Sequence, residues 1–229
     1  MLLEVINVDV AYGAAKVLHD VSLRMNQGEL LFLVGRNGAG KTTLLKTIAG
    51  FLKPSRGTLL FAGQDTRGLT PEKVARLGVR YVFQDKRVFS KLTVRENLEL
   101  AAFGSGERAP GAIRKVMDIF PALERFLDAK AGGLSGGQRQ LLLIGRALVG
   151  QPRLILLDEP TEGLAAGVIN DIVRVLGSLR GEISMLVVEQ SLSVVEKLAD
   201  RVYVMKEGKV SQEIAKPEML ERSLLEASL

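Results

Sequence analysis

Gly35-Arg36-Asn37-Gly38-Ala39-Gly40-Lys41-Thr42-Thr43 directly follows the apolar run Leu30-Leu31-Phe32-Leu33-Val34. The first eight residues satisfy the spacing G-x-x-x-x-G-K-[ST], and they stand between a predicted strand and a predicted helix, as the chemistry of that pattern requires. Glycines let the backbone wrap closely around phosphate oxygens with its N–H groups turned inward, and the helix N-terminus adds its positive dipole end. Lys41 then offers a charge to the β- and γ-phosphates, and the Thr42 hydroxyl offers one ligand to Mg²⁺. The stretch therefore implies a bound nucleoside triphosphate, ATP, with magnesium.

Outward from this loop, short β-branched and leucine-rich runs alternate with helical patterns, which argues for a mainly parallel α/β sheet. A helix is predicted over 41–49, stopped by Gly50 and Pro54. Thr70-Pro71 opens another that ends at Gly78, before a strand over 79–83. Over 85–150 the strand signal fades. Thr93 and Glu96 form a capping box for a helix to about 103, a loop spans 104–110, and helices follow near 112–120 and from Ser135 to about 149. Strands resume at 154–158 and 183–188, with helices over 167–179 and near 192–199. A hairpin, 201–205 with 209–214, turns at Glu207-Gly208. One domain over 1–229 is expected, with 1–84 and 151–229 as its core and 85–150 as a helical insert.

Two further motifs bear on the phosphate loop. Leu154-Ile155-Leu156-Leu157-Asp158-Glu159 is a buried-strand pattern ending in two carboxylates, at the sheet edge where open α/β folds bind ligands. Asp158 is placed to hold magnesium through water, and Glu159 to orient an attacking water or take its proton. Taken alone, such a pair is a solvated turn. Leu134-Ser135-Gly136-Gly137-Gln138 opens a helix and provides a hydroxyl and free N–H groups, either as a simple N-cap or as a second anion site.

With these motifs in this order over nearly the whole length, the chain resembles the nucleotide-binding subunit of an ATP-binding cassette (ABC) transporter. The resemblance implies a P-loop NTPase (RecA-like) core with an N-terminal antiparallel β subdomain and a helical insert. It implies that Tyr12 stacks on adenine and that Gly35, Arg36, Asn37, Gly38, Ala39, Gly40, Lys41, Thr42 and Thr43 form the Walker A loop. Gln84 is then the Q-loop residue, reaching magnesium and the transmembrane partner, with Thr42 and Asp158 as the other metal-site residues. Ser135, Gly136, Gly137 and Gln138 become the signature, contacting ATP held on a facing subunit. Glu159 is the catalytic carboxylate and Gln190 occupies the switch position. The active form implied is a head-to-tail dimer with two nucleotides sandwiched.

The sequence departs from that family at two places. The switch residue is usually His, but the sole histidine is His19, which reads as an incidental loop residue between early strands. A Gln amide at 190 hydrogen-bonds a phosphate oxygen but cannot gain a charge. Ala165 stands where the family's D-loop has Asp. These changes, with Val188-Glu189-Gln190 and Glu162-Gly163-Leu164, resemble one of the paired ATPases of the hydrophobic (branched-chain) amino-acid uptake group, whose urea and short-amide branch remains open. The resemblance implies a heterodimer with a second ABC ATPase, a homodimer being possible in isolation. Two permease subunits and, indirectly, a solute-binding protein complete the assembly.

Composition sets outer bounds. The +5 net charge comes from Lys and Arg scattered among Asp and Glu, with no basic block to mark a nucleic-acid partner. There is no cysteine, so disulfides and thiolate metal ligands are excluded. No apolar run approaches the ~18 residues a membrane span needs, and the start lacks a secretory pattern. The expected place is the cytoplasmic face of the membrane, as a peripheral subunit. Other readings are a GTP-binding switch, disfavoured by the absence of an Asn/Thr-Lys-x-Asp sequence, an exporter motor, and a non-transport ABC ATPase. The last usually has a coiled-coil insert or two cassettes.

Overall fold

The computed structural model describes residues 1–215, so the last part of the expected core, 216–229, lies outside the described residues. In chain order the elements are β1 (Leu3–Tyr12), β2 (Ala15–Met25), β3 (Leu30–Val34), α1 (Lys41–Ile48), β4 (Arg56–Phe61), β5 (Gln64–Asp65), α2 (Pro71–Arg76) and β6 (Val79–Val82). There follow α3 (Val94–Ser105), α4 (Ala109–Ile119), two 3₁₀ turns (Pro121–Phe126 and Ala131–Gly133), and α5 (Gly136–Leu148). The chain continues through β7 (Leu154–Asp158), α6 (Ala166–Ser178), β8 (Ser184–Val188), α7 (Leu192–Leu198), β9 (Arg201–Lys206) and β10 (Lys209–Ile214).

Two sheets form. The antiparallel one has the order β2-β1-β4-β5, and the larger one β10-β9-β3-β8-β7-β6. In the larger sheet every pairing is parallel except the β9–β10 hairpin. Its central strands β3, β7 and β8 are buried at every residue, which explains why their sequences are continuous apolar runs rather than alternating ones. Alternation survives in which core each residue joins. Leu30, Phe32, Val34, Ile155, Leu157, Met185 and Val187 pack with the α3–α5 helices, while Leu31, Leu33, Leu154, Leu156, Leu186 and Val188 pack with α1 and the antiparallel sheet. The helical insert thus shares one continuous core with the main sheet through Val94, Leu98, Val116, Leu141 and Leu142.

The helix signals predicted from sequence operate as written. Thr93 and Glu96 complete their capping box, and Gly50 and Gly78 adopt positive φ beyond α1 and α2. Two expectations change. The loop over 104–110 shrinks to 106–108, because α3 runs on through Gly104 to Ser105 and Pro110 enters the first turn of α4, where its missing N–H costs nothing. His19 lies within β2 rather than in a loop, its backbone N–H donating to the Gly208 carbonyl at 2.8 Å. The first two strands escaped a period-two reading because register shifts interrupt their pairing. Asn7 and Asp20 take positive φ there, and the Asn7 amide bonds the Asp20 carboxylate at 3.0 Å.

Candidate functional site

The phosphate loop leaves the carboxyl end of β3 and enters α1, with Gly35, Gly38 and Gly40 all at positive φ. At Gly35 there is a second reason for glycine, since a Cβ would fall on the Met205 carbonyl of β9. Gly208, in the β9–β10 turn, closes the loop's outer side. Its N–H donates to the Ala39 carbonyl at 3.0 Å, its carbonyl accepts from His19, and a Cβ would run into the Val17 carbonyl. Lys41 is buried, with its ammonium donating to the loop carbonyls of Gly35 (2.5 Å) and Arg36 (3.1 Å). Burial lowers its pKa, against the pull of Glu159 and Asp158. The loop walls a cavity of about 420 Å³ to which Val17, Gln84, Glu159 and Glu162 also contribute.

The two carboxylates ending β7 differ in environment. Asp158 is almost wholly buried and accepts from the Thr42 hydroxyl (3.1 Å) and the Tyr81 hydroxyl (2.8 Å). Burial raises its pKa, with those two bonds opposing, and burial likewise raises that of Tyr81. Glu159 has φ +49, a strained value for a non-glycine residue. Both its oxygens are occupied: Oε1 accepts from Gln190 Nε2 (2.8 Å) and Oε2 from Gln84 Nε2 (3.1 Å). Gln190 Nε2 also donates to Asn37 Oδ1 at 2.8 Å, and Gln84 Nε2 to Glu162 Oε2 at 2.9 Å. Lys86 donates to the Glu162 carbonyl. Desolvation raises the Glu159 pKa, the Gln190 bond opposes it and the Glu162 charge adds to it.

Among the described residues no group of three or more His, Cys, Asp or Glu side chains is arranged to hold a metal alone. The residues nonetheless fit magnesium in the manner of nucleotide sites, where one or two carboxylates and a hydroxyl act together with phosphate oxygens. Thr42 and Asp158 meet at the cavity edge and both leave lone pairs free. Gln84 is turned instead toward Glu159 and Glu162.

Residues 18–162 match the protein-family model described as ABC transporter. The chain belongs to this family. The ABC relatives include the high-affinity branched-chain amino acid transport ATP-binding protein BraG of Pseudomonas aeruginosa, 40% identical over 89% of this chain and 88% of that protein. They also include a probable branched-chain amino acid transport ATP-binding protein, LivF of Archaeoglobus fulgidus, 33% identical over 98% and 97%. A nucleotide-free ATP-binding cassette from an ABC transporter superposes with a TM-score of 0.85 at 32% identity, covering 97% of this chain and 94% of that one. A dimeric post-hydrolysis cassette bound to ADP and Pi gives 0.84 at 28%, covering 93% and 98%. The fold is that of a P-loop ATPase cassette, and the chain is an ABC ATPase.

Within this ABC cassette the structure brings together residues 37–43, Gln84, Asp158, Glu159 and Gln190, but not every expected site residue. Tyr12 stands exposed at the end of β1, outside the cavity walls, and Val17 of β2 is the apolar residue that lines them. Ser135 to Gln138 do not line this chain's own cavity either. Ser135 caps α5, accepting from the Gln138 N–H at 3.2 Å while Gln138 Oε1 accepts from the Ser135 N–H at 2.9 Å. Gly136 faces open space, whereas a Cβ at Gly137 would press on Val168 of α6. Sequence reasoning missed Tyr81, Glu162 and Val17. For Glu162 the proximity to Glu159 was a usable signal, while Tyr81 and Val17 are brought in by strand packing that no spacing announces.

Proposed function

We propose that the chain is one ATPase of a heterodimeric ABC importer for branched-chain amino acids, acting at the cytoplasmic face of the membrane beneath two permease subunits fed by a solute-binding protein. The observation that carries the catalytic part is the Glu159 carboxylate held between the Gln190 and Gln84 amides at the mouth of the phosphate loop. In this reading residues 35–43 wrap the phosphates, and Lys41 exchanges its loop carbonyls for phosphate oxygens. Glu159, once Gln84 and Gln190 release one of its oxygens, orients a water and accepts its proton. Gln190, already bridging Asn37 and Glu159, donates its amide to a phosphate oxygen, while Tyr12 stacks against the base. Magnesium, held by Thr42, Asp158 and the Gln84 carbonyl, neutralises charge on the β- and γ-phosphates.

Ser135, Gly136, Gly137 and Gln138, borne by the helical unit over 85–150, serve the nucleotide of the facing subunit. Support comes from their absence from this chain's own cavity and from the dimeric cassette among the structural relatives. The importer and its solute rest on relatives named for branched-chain amino acid transport. An unequal pair is supported by Archaeoglobus fulgidus, which has two different relatives of this chain, LivF and LivG, named for that solute class. A peripheral position agrees with the finding that no helix among the described residues is long and apolar enough to cross a membrane. A cleft of about 760 Å³, lined by Phe83, Val88, Phe89 and Leu143 and lying beside Gln84, offers the permease a docking surface.

Detergent extraction of membranes tests the assembly. The chain should copurify with two permease-type subunits and a second ATPase. Recovery as a lone soluble monomer that hydrolyses ATP at full rate would sink the reading.

A further inference from the structure

The mechanism leaves one buried carboxylate without a task. Glu189 is 3% exposed, and among the described residues no Lys or Arg forms an ion pair with it. Its charge is satisfied by hydrogen bonds drawn from two different loops. Oε1 accepts from Thr161 Oγ1 at 2.5 Å and from the Thr161 N–H at 3.1 Å. Oε2 accepts from the N–H groups of Gln190 at 3.0 Å and Ser191 at 3.2 Å. The residue's own N–H reaches the Leu33 carbonyl at 3.4 Å, just before the phosphate loop.

Two loops leave the sheet side by side here, because β7 and β8 are parallel neighbours with Asp158 opposite Val188. One carries Glu159, Thr161 and Glu162, the other Gln190. Without a tie, the second loop would be free to turn the Gln190 amide anywhere within reach of its backbone. A carboxylate acceptor makes each bond roughly twice as strong as a neutral one would, and with both oxygens engaged the two loops are fixed as one body.

We propose that Glu189 is a positioning residue for ATP hydrolysis. It fixes the backbone of Gln190 so that the amide meets Glu159 and Asn37, and it binds that loop to Thr161, so that any displacement of the segment after Glu159 is carried to Gln190. The proposal rests on the roles given above to Glu159 and Gln190.

The test is a double-mutant cycle on the full chain in its membrane complex, reading kcat and KM for MgATP together with thermal melting. In Glu189→Gln the amide nitrogen must face at least one N–H donor, whichever way the amide is turned. That should lower kcat by about tenfold while KM moves less than about twofold. In a Gln190→Ala background the same change should cost less than about twofold more, because the group it positions is gone. Equal, multiplying losses in the two backgrounds overturn the positioning role and leave Gln190's role standing. Full turnover in Gln190→Ala alone overturns the role of Gln190, and the proposal with it.

Should Glu189→Gln not fold, Thr161→Val and Thr161→Ser run the same cycle. The valine should lower kcat only when Gln190 is present, and the serine, which keeps the hydroxyl, should restore it. A valine chain with unchanged kcat, or a serine chain no better than valine, overturns the proposal.

Discussion

Lys41, Asp158 and Glu159 face one another at one cavity edge, and desolvation works against the charge on each of them. The ordinary carboxylate value for Glu159 is 4.5 and the folded chain raises it, so the ionised form costs stability. That cost is present in full above the folded pKa and vanishes as pH falls toward the unfolded one. Glu159→Gln should therefore raise the melting temperature of the nucleotide-free chain at neutral pH, with the gain shrinking on acidification. A gain that grows in acid would contradict the sign. In the presence of ATP the same variant should accumulate as a nucleotide-bound dimer, seen by gel filtration, and normal hydrolysis would show that another group takes the proton. At this scale the sequence was legible where spacing along the chain defines the chemistry, as for Lys41, Thr42, Asp158 and Glu159. It was silent on Tyr81, Glu162 and Glu189, whose partners are supplied by neighbouring strands and loops.

Secondary elements were read best where a local signal marks each end. The capping box of α3, the glycine after α1 and the apolar runs of β3, β7 and β8 all fall in this class. The antiparallel sheet was poorly delimited because bulges near Asn7 and Asp20 break its alternation. At α5 one side chain serves two purposes that a pair of variants can separate. Ser135 caps its own helix, and in the dimer it would meet phosphate from the facing subunit. Ser135→Ala should cost about 1 kcal/mol of stability through the lost cap. Ser135→Asp keeps a capping oxygen and should hold stability within about 0.5 kcal/mol, yet its charge should prevent the ATP-dependent dimer. A Ser135→Asp chain that dimerises normally in the Glu159→Gln background would show that this serine faces no phosphate.

For the whole molecule, the absence of a histidine at the switch position makes two composite sites unequal whenever the partner ATPase has one. An amide bridges Asn37 and Glu159 without acquiring charge, so the transition state at this site lacks a full positive group. Gln190→His in the assembled complex should leave turnover unchanged or raise it, measured as phosphate release per complex. A large loss would show that the amide makes a contact imidazole cannot reproduce. The pairing of unlike subunits was legible only through resemblance, since nothing in one chain's periodicity encodes the surface of another.

The contact between Gly208 and the Ala39 carbonyl has a consequence in time as well as in space. Translation delivers the phosphate loop early, but the hairpin that walls it from outside is made from residues near the end of the described chain. A nascent chain halted after β8 would have the whole Gly35 to Thr43 stretch and both carboxylates, with no backbone at 205 or 208 to hold the loop in its curve. Capacity to grip nucleotide is thus acquired among the last steps of synthesis. An unfinished cassette is thereby kept from consuming ATP before it has a partner to drive.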